Sequence, residues 1–450
     1  MGRLFGTDGI RGIANVPPMD SETALKLGRS LAYLVRQRSG THRILIGKDT
    51  RVSGYMLETA LESGISSMGV DVLIVGPLPT PGVAFVTRSM RADAGIMISA
   101  SHNSYEDNGI KIFSKDGFKL PDEAEDEIED LMFGGRIDAL RAEPSLIGKA
   151  FRIDDAIGRY IVFLKSCIDS AVSLEGLKIV VDSANGAAYK VAPQLFFELG
   201  VEVVMLGDRP NGKNINDGCG SLHPELLINK VREVGADVGI ALDGDADRVV
   251  MCDEEGHLLD GDDLLAICGD SLSKKGLLKG STVVGTVMSN LGLEKYFKRK
   301  GIDFIRADVG DRYVLSQMQK NNLSLGGEQS GHVIFLDHNT TGDGLLSALK
   351  VLEVMRERGL PLSKFKNAFT RYPQLLKNVM VHSQPDFSTL PKVMSVLAEC
   401  EKELADTGRV LLRYSGTEKK ARVMVECESA DMCLKVVNRL AEVVKQNIGA

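Results

Sequence analysis

Apolar positions along this chain follow two periods, and the switches between them mark the elements. A helical period opens at Ser21, read as the cap. Ala24, Leu27, Leu31, Leu34 and Val35 share one face of a helix reaching about residue 38. Short apolar runs then alternate with helical stretches. Residues 43–47 predict a strand, followed by Lys48-Asp-Thr-Arg51, a helix over 54–68, a strand opening Gly69-Val-Asp, and a third strand over 95–98. The pattern restarts near Leu177. A strand over 178–181 ends in Asp182-Ser-Ala-Asn-Gly186, a helix covers 187–199, a strand opens Gly200-Val-Glu, and a third covers 238–242. It restarts again with a strand over 282–284 continuing to 287–290. A helix over 291–300, a strand opening Gly301-Ile-Asp and a third strand at 324–325 follow.

Such self-similarity belongs to a whole α/β domain, at a spacing too long for a solenoid. Strand–helix alternation implies mostly parallel or mixed sheets with helices on both faces. The tail reads differently: strand 376–381, helix 390–404, strands 409–413 and 421–426, and a closing helix over 430–445. The expected fold is three similar α/β domains with mixed sheets around a central cleft, plus a C-terminal α+β domain of βαββα order. Polar stretches near 148–156, 254–262 and 366–376 place the domains at 1–150, 151–256, 257–370 and 371–450. The last stretch also reads as a hinge that lets the final domain close over a ligand.

Composition narrows the class. Of 450 residues, 44% are hydrophobic and 26% charged, as in an ordinary soluble protein. The net charge of −7 is spread without long runs, and no basic stripe or polybasic cluster occurs, which argues against nucleic-acid and membrane partners. The first residues lack a signal-peptide core, and no apolar stretch approaches the ~20 residues of a membrane span. Seven cysteines without a CxxC pair read as reduced packing residues of a cytoplasmic protein.

The candidate chemistry sits in loops. Ile96, Met97 and Ile98 run into Ser99-Ala-Ser101-His-Asn103, where an α/β fold places its working loop. A serine hydroxyl becomes a useful nucleophile when a neighbour takes its proton or a metal lowers its pKa. His102 and Lys111 are the candidate helpers. Ile110 and Ile112 point to the opposite face of their strand, which aims Lys111 at the loop. The structural alternative is a polar helix-capping loop with a solvated lysine. Near the start, Gly6-Thr-Asp-Gly-Ile-Arg-Gly12 presents Asp8 and Arg11 on a turn.

Asp243-Gly-Asp-Ala-Asp-Arg248 crowds three carboxylates onto one turn, a costly arrangement without a hard divalent cation such as Mg²⁺. An EF-hand loop is excluded by Arg248 at its glycine position and by the strand-like 249–252. An Asp-nucleophile phosphatase stays open. Gly326-Gly-Glu-Gln-Ser-Gly331 offers Glu328 and Ser330 to sugar hydroxyls, or forms an ordinary turn. Arg413-Tyr-Ser-Gly-Thr417, with Arg422, supplies what a phosphate dianion needs, or forms a charged hairpin. A serine, a carboxylate cage, a hydroxyl clamp and a remote phosphate clamp together describe phosphoryl transfer on a sugar phosphate.

With these motifs in this order, the chain resembles the α-D-phosphohexomutase superfamily from end to end. The supporting residues also include Phe5-Gly-Thr-Asp-Gly-Ile-Arg-Gly12, Asn214-Ile-Asn-Asp-Gly-Cys-Gly220, Gly285-Thr-Val-Met-Ser-Asn290 and Val309-Gly-Asp-Arg-Tyr-Val314. The resemblance is nearest to the bacterial glucosamine branch. It implies an isomerase that interconverts glucosamine 6-phosphate and glucosamine 1-phosphate on the route to UDP-N-acetylglucosamine and peptidoglycan. It implies Ser101 as the phosphoserine, and Asp243, Asp245 and Asp247 with Ser101 as the Mg²⁺ ligands. Arg11 and Lys111 would assist proton transfer, with His102 close by. Glu328, Ser330, Asp311 and Arg248 would face the sugar. Arg413, Ser415, Gly416, Thr417 and Arg422 would hold the phosphate that is not reacting. A hexose 1,6-bisphosphate (glucosamine or glucose) would be the activator, and a homodimer would be the assembly. Ser104, Leu222 and Lys419 stand where the family usually has Pro, Thr and Pro, and none removes a group with an assigned role. A phosphoglucomutase or phosphomannomutase of the same mechanism, an Asp243 phosphatase and a non-catalytic sugar-phosphate sensor are the competing expectations.

Overall fold

The computed structural model describes residues 4–6, 8–37, 42–366, 368–415 and 419–450. Four sheets appear in chain order. The first runs Ile10–Ile13, Asp107–Ser114, Ala94–Ile98, Arg43–Lys48, Asp71–Pro77 and Ala150–Arg152. The second runs Leu258–Leu259, Val249–Asp253, Val238–Leu242, Lys178–Asp182 and Glu202–Leu206. The third runs Asp303–Ala307, Thr282–Thr286, Leu325–Gly327 and Val333–Phe335. Each holds the same nucleus: the unit's first strand lies between its second and third in parallel, and an antiparallel strand pairs with the third. The repeat seen in the sequence is therefore a repeat of sheet order. The fourth sheet, Gln374–Met380, Lys420–Cys427 and Gly408–Tyr414, is antiparallel and backed by helices Pro391–Leu404 and Ala430–Ile448. This is the expected βαββα order.

Strand parity sorts the first sheet's two faces. Ile44, Ile46, Val72, Ile96, Ile98, Ile110 and Ile112 join the core under helices Ser21–Arg36 and Ser53–Ser66. Leu45, Leu73, Val75, Met97 and Phe113 point the other way, into a core that continues through the second and third sheets. The fourth sheet keeps a separate core. Its seam with the third unit is polar. Arg409 donates to the carbonyls of Val287 and Ser289 at 2.9 and 2.7 Å, and Leu291 N donates to Glu426 at 2.9 Å.

Several elements differ from the sequence reading. Asp20, not Ser21, caps the first helix by accepting from Thr23 N at 2.8 Å, since its charge also suits the helix N-terminus. The helix ends at Arg36, and residue 38 lies outside the described residues. The 187–199 helix breaks into a 3-10 turn Ala187–Tyr189 and a helix Val191–Glu198. Residues 287–290 turn rather than extend, because Asn290 caps the helix Leu291–Arg299. The strand expected at 324–325 is Leu325–Gly327. The strand Val333–Phe335 is too short for periodicity to reveal, and Ala150–Arg152 is solvent-exposed along its length. Helices Gly261–Lys274 and Gly344–Arg358 are buried on most sides, so they lack the polar stripe that marks a surface helix. No helix among the described residues is long and apolar enough to cross a membrane.

The first two long helices touch backbone to backbone at Gly64. A Cβ there would lie 2.3 Å from the Leu25 carbonyl oxygen and 3.2 Å from Arg29 N. Gly64→Ala gains about 1 kcal/mol of helix propensity, whereas forced separation of packed helices costs roughly 1–3 kcal/mol. The second effect wins: calorimetry is expected to show a lower first melting transition for Gly64→Ala, and an unchanged or higher one would mean that the helices part freely.

Candidate functional site

Three loops occupy one topological position. Residues 99–106, 243–248 and 328–332 each join a unit's third strand to its antiparallel neighbour. The first two loops meet directly. Ser101 is buried and left-handed (φ +54°), and its hydroxyl donates to Asp243 Oδ2 at 2.5 Å. His102 Nδ1 lies 3.2 Å from the same hydroxyl oxygen. At Gly244 a Cβ would come within 2.6 Å of the Ser101 carbonyl oxygen, so only a glycine lets the loops approach this closely.

Strand register delivers Lys111. It pairs with Met97 on the face opposite Ile110 and Ile112, as parity predicts. Its Nζ lies 2.9 Å from Asp245 Oδ2, 3.1 Å from Asp247 Oδ2 and 3.3 Å from Asp8 Oδ2. Burial opposes its charge, but the three carboxylates outweigh burial and raise its pKa well above the lysine range. Burial likewise opposes the Asp245 carboxylate, yet Lys111 and a 2.6 Å hydrogen bond from Thr80 Oγ1 hold it below the usual range. Asp243 goes the other way: burial, then Asp247 and Asp245, push it well up. The cage thus holds more negative charge than Lys111 balances.

Carboxylate oxygens of Asp243, Asp245 and Asp247 lie within 4.8 Å of one another. Asp245 Oδ1 and Asp247 Oδ1 are buried without a hydrogen-bond partner. Orphaned anionic oxygens grouped this way fit a hard divalent cation. Glu254, the would-be twelfth ligand of an EF-hand, instead accepts from Ser363 Oγ at 2.5 Å.

Arg11 borders the cage. It sits opposite Gly109 on the edge strand, pairs with Asp8, and is drawn by Asp245 and Asp247. His102 is pushed down to about 4, first by burial and then by Arg248 and Arg11, so its imidazole is neutral at neutral pH. From Asp8 the charges continue outward: Lys119 pairs with both Asp8 and Asp311. Asp311 Oδ1 accepts from Arg312 N at 2.8 Å. Asp311 is therefore already ion-paired within the protein, sharing Lys119 with Asp8, and is not the free anion that a ligand ammonium would meet. Glu328 Oε1 accepts from Gly310 N at 2.9 Å, and its other oxygen lies 3.5 Å from the exposed Ser330 hydroxyl. Arg248 lies between Glu328 and the cage and is drawn electrostatically to both.

The residues expected to clamp a phosphate form a separate group on the fourth sheet. Arg413 and Arg422 stand directly opposite in the ladder, and Arg422 Nη2 donates to Ser415 Oγ at 3.2 Å. Like charges facing each other across a ladder destabilise it, and a bound anion relieves that cost. Gly416 and Thr417 lie outside the described residues. The sequence reading missed Thr80, Lys119 and Asn216. Thr80 opens a helix just after a parallel strand's carboxyl end, the one signal available for it. Lys119 and Asn216 carry no local signal.

The chain matches phosphoglucomutase/phosphomannomutase alpha/beta/alpha domain I over residues 2–136, domain II over 158–256, domain III over 260–372 and the C-terminal domain over 376–443. It is 56% identical to a protein named phosphoglucosamine mutase from Geotalea uraniireducens, over 100% of this chain and 99% of that one. It is 56% identical to one of the same name from Geobacter metallireducens, covering 100% of both. A phosphoglucomutase/phosphomannomutase family protein from Burkholderia thailandensis superposes with a TM-score of 0.83 at 24% identity, over 100% of this chain and 99% of that one. Aspergillus fumigatus N-acetylphosphoglucosamine mutase, solved with GlcNAc-6P and magnesium, superposes at 0.65 with 17% identity, over 98% and 95% of the two chains.

The cage predicts a thermal signature independent of turnover. A divalent cation at about 100 times its dissociation constant is expected to stabilise the fold by about 2.7 kcal/mol. Differential scanning fluorimetry should show the melting point rise with Mg²⁺ or Mn²⁺, and Asp245→Asn should remove most of that rise. An equal rise in the variant would place the cation elsewhere.

Proposed function

The chain belongs to the phosphoglucomutase/phosphomannomutase family, and from that membership we propose that it interconverts glucosamine 6-phosphate and glucosamine 1-phosphate in the cytoplasm, on the route to UDP-N-acetylglucosamine. The observation that carries this reading is the buried Ser101 hydroxyl, 2.5 Å from Asp243 at the mouth of the carboxylate cage. Proteins 56% identical over the full chain and named phosphoglucosamine mutase support the sugar.

Ser101 Oγ carries the phosphoryl group. As the free sugar hydroxyl attacks phosphorus, the Oγ–P bond breaks, the new sugar O–P bond forms, and the hydroxyl proton passes to His102, the neutral base beside Ser101 Oγ. The resulting bisphosphate turns end for end, and Ser101 takes back the other phosphoryl group by the reverse step. A Mg²⁺ held by Asp243, Asp245 and Asp247 with Ser101 would neutralise charge on the group in transit. Lys111, held as a cation by Asp245, Asp247 and Asp8, brings fixed positive charge to the same place. Arg11 and Lys111, both cations, assist this proton transfer by stabilising the negative charge that grows on the reacting hydroxyl oxygen. Glu328 and Ser330 hold sugar hydroxyls, and Arg248 links them to the cage. Arg413, Ser415 and Arg422, with Gly416 and Thr417, hold the distal phosphate in either orientation. A hexose 1,6-bisphosphate restores enzyme that has lost its phosphoryl group.

One observation favours a second reading. Asp311, the acidic group available to the sugar's amine, is already paired with Lys119. A hexose mutase acting on glucose or mannose phosphates would use the same cage and serine without needing Asp311 free.

Measuring kcat/KM for glucosamine, glucose and mannose 6-phosphates, with Mg²⁺ and a bisphosphate activator, separates the two. The amino sugar is expected to lead by about 100-fold, roughly 2.7 kcal/mol of transition-state discrimination. Equal values would move the protein to the broader hexose class. Ser101→Ala should lower mutase turnover by about a thousandfold or more, since the covalent carrier is gone. Retained turnover would point to Asp243 as nucleophile.

A further inference from the structure

One buried guanidinium fixes the loop that carries Ser101. Arg51 follows the strand Arg43–Lys48 and has no solvent exposure. All five of its guanidinium hydrogens are used. Nε donates to Asp49 Oδ2 at 2.8 Å. Nη1 donates to the carbonyls of Ser104 and, at 3.0 Å, Asp107. Nη2 donates to the carbonyls of Ser101 at 3.0 Å and Asn103 at 2.8 Å. Three carbonyls of the loop, and that of Asp107 at the start of the next strand, thus converge on one distant side chain.

Two further contacts complete the hold. From the second unit, Asn216 Nδ2 donates to the Ser101 and Asn103 carbonyls at 2.9 and 3.0 Å. Ser101 N donates to Ser99 Oγ at 2.9 Å, and that hydroxyl donates to Asp49 Oδ2 at 2.6 Å. Both backbone polar groups of Ser101 are therefore tied, and Asp49 anchors both routes. This matters because Ser101 has φ +54°, a conformation that a residue with a Cβ abandons unless its surroundings impose it. Relaxation of φ would swing Oγ away from Asp243.

We propose that Arg51 is the positioning residue for Ser101: by gathering the loop's carbonyls it holds the serine in the left-handed conformation that aims its hydroxyl at the carboxylate cage. The sugar that the enzyme turns over rests on the function proposed above, whereas the positioning concerns Ser101 itself. Lysine could keep the charge beside Asp49, but its three donors on one atom cannot span four carbonyls. Asn216 is half-buried and itself left-handed (φ +57°), so Asn216→Ala removes the two hydrogen bonds and adds a small local strain that the melting point registers.

The test measures phosphoryl uptake by Ser101 from glucose 1,6-bisphosphate, by rapid quench and intact mass, in Arg51→Lys and Asn216→Ala. Mutase kcat and KM and the melting point are followed alongside. Uptake and kcat are expected to fall together, by about 100-fold in Arg51→Lys and about 10-fold in Asn216→Ala, while KM stays within about threefold because the sugar and distal-phosphate groups lie elsewhere. Uptake within about threefold of wild type in a folded Arg51→Lys protein would overturn the proposal. Should Arg51→Lys not fold, Asn216→Ala and Ser99→Ala decide on the same readout, and wild-type uptake in both would overturn it. A wild-type protein that loads Ser101 but ignores glucosamine 6-phosphate removes the proposed sugar and leaves the uptake series to judge Arg51. A wild-type protein that never loads Ser101 overturns both.

Discussion

Lys111 Nζ touches Asp245, Asp247 and Asp8 within 3.3 Å, so one ammonium ties the first unit's strand to its N-terminal turn and to the second unit's loop. An isolated ammonium at that depth would be expelled or neutralised, and three crowded carboxylates would be too. Each makes the other tolerable. The arrangement leaves a surplus of negative charge and two orphaned oxygens pointing at one place. The site is thus built half-satisfied, and the remaining half suits a cation and an anionic phosphoryl group arriving together. From Asp8 the same logic runs outward through Lys119 to Asp311, linking the first and third units by alternating charge.

The repeated sheet order explains why three unrelated-looking loops converge. Each joins a third strand to an antiparallel neighbour, so each emerges at the same end of its sheet. One copy holds Ser101, one the three-aspartate cage, and one Glu328 and Ser330. The scaffold is common to all three, and the chemistry differs only in the residues between two strands.

What the sequence revealed follows from locality. The Ser101, Asp243 and Glu328 loops are contiguous motifs, and Lys111 follows from two-residue parity within one strand. The strand at 333–335 and the buried helices over 261–274 and 344–358 escaped because short or all-apolar segments carry little periodicity, and the cap at Asp20 escaped because the adjacent Ser21 is an equally good capping residue. Thr80 reaches Asp245 across 165 positions, and Lys119 reaches Asp311 across 192. Such contacts exist only once the sheets are folded and packed. Asp311 shows the limit most clearly: its charge was legible, but the partner that occupies it was not.

The first three sheets share a continuous apolar core, while the fourth is joined to them through hydrogen bonds from Arg409 and to Glu426. Water can replace such bonds, and the apolar cores on the two sides of the seam are separate clusters. Parting at that seam would therefore carry a smaller heat-capacity change than any separation among the first three units. Its temperature dependence would follow a nearly straight van't Hoff line, whereas separating the units that share the apolar core would give a curved one.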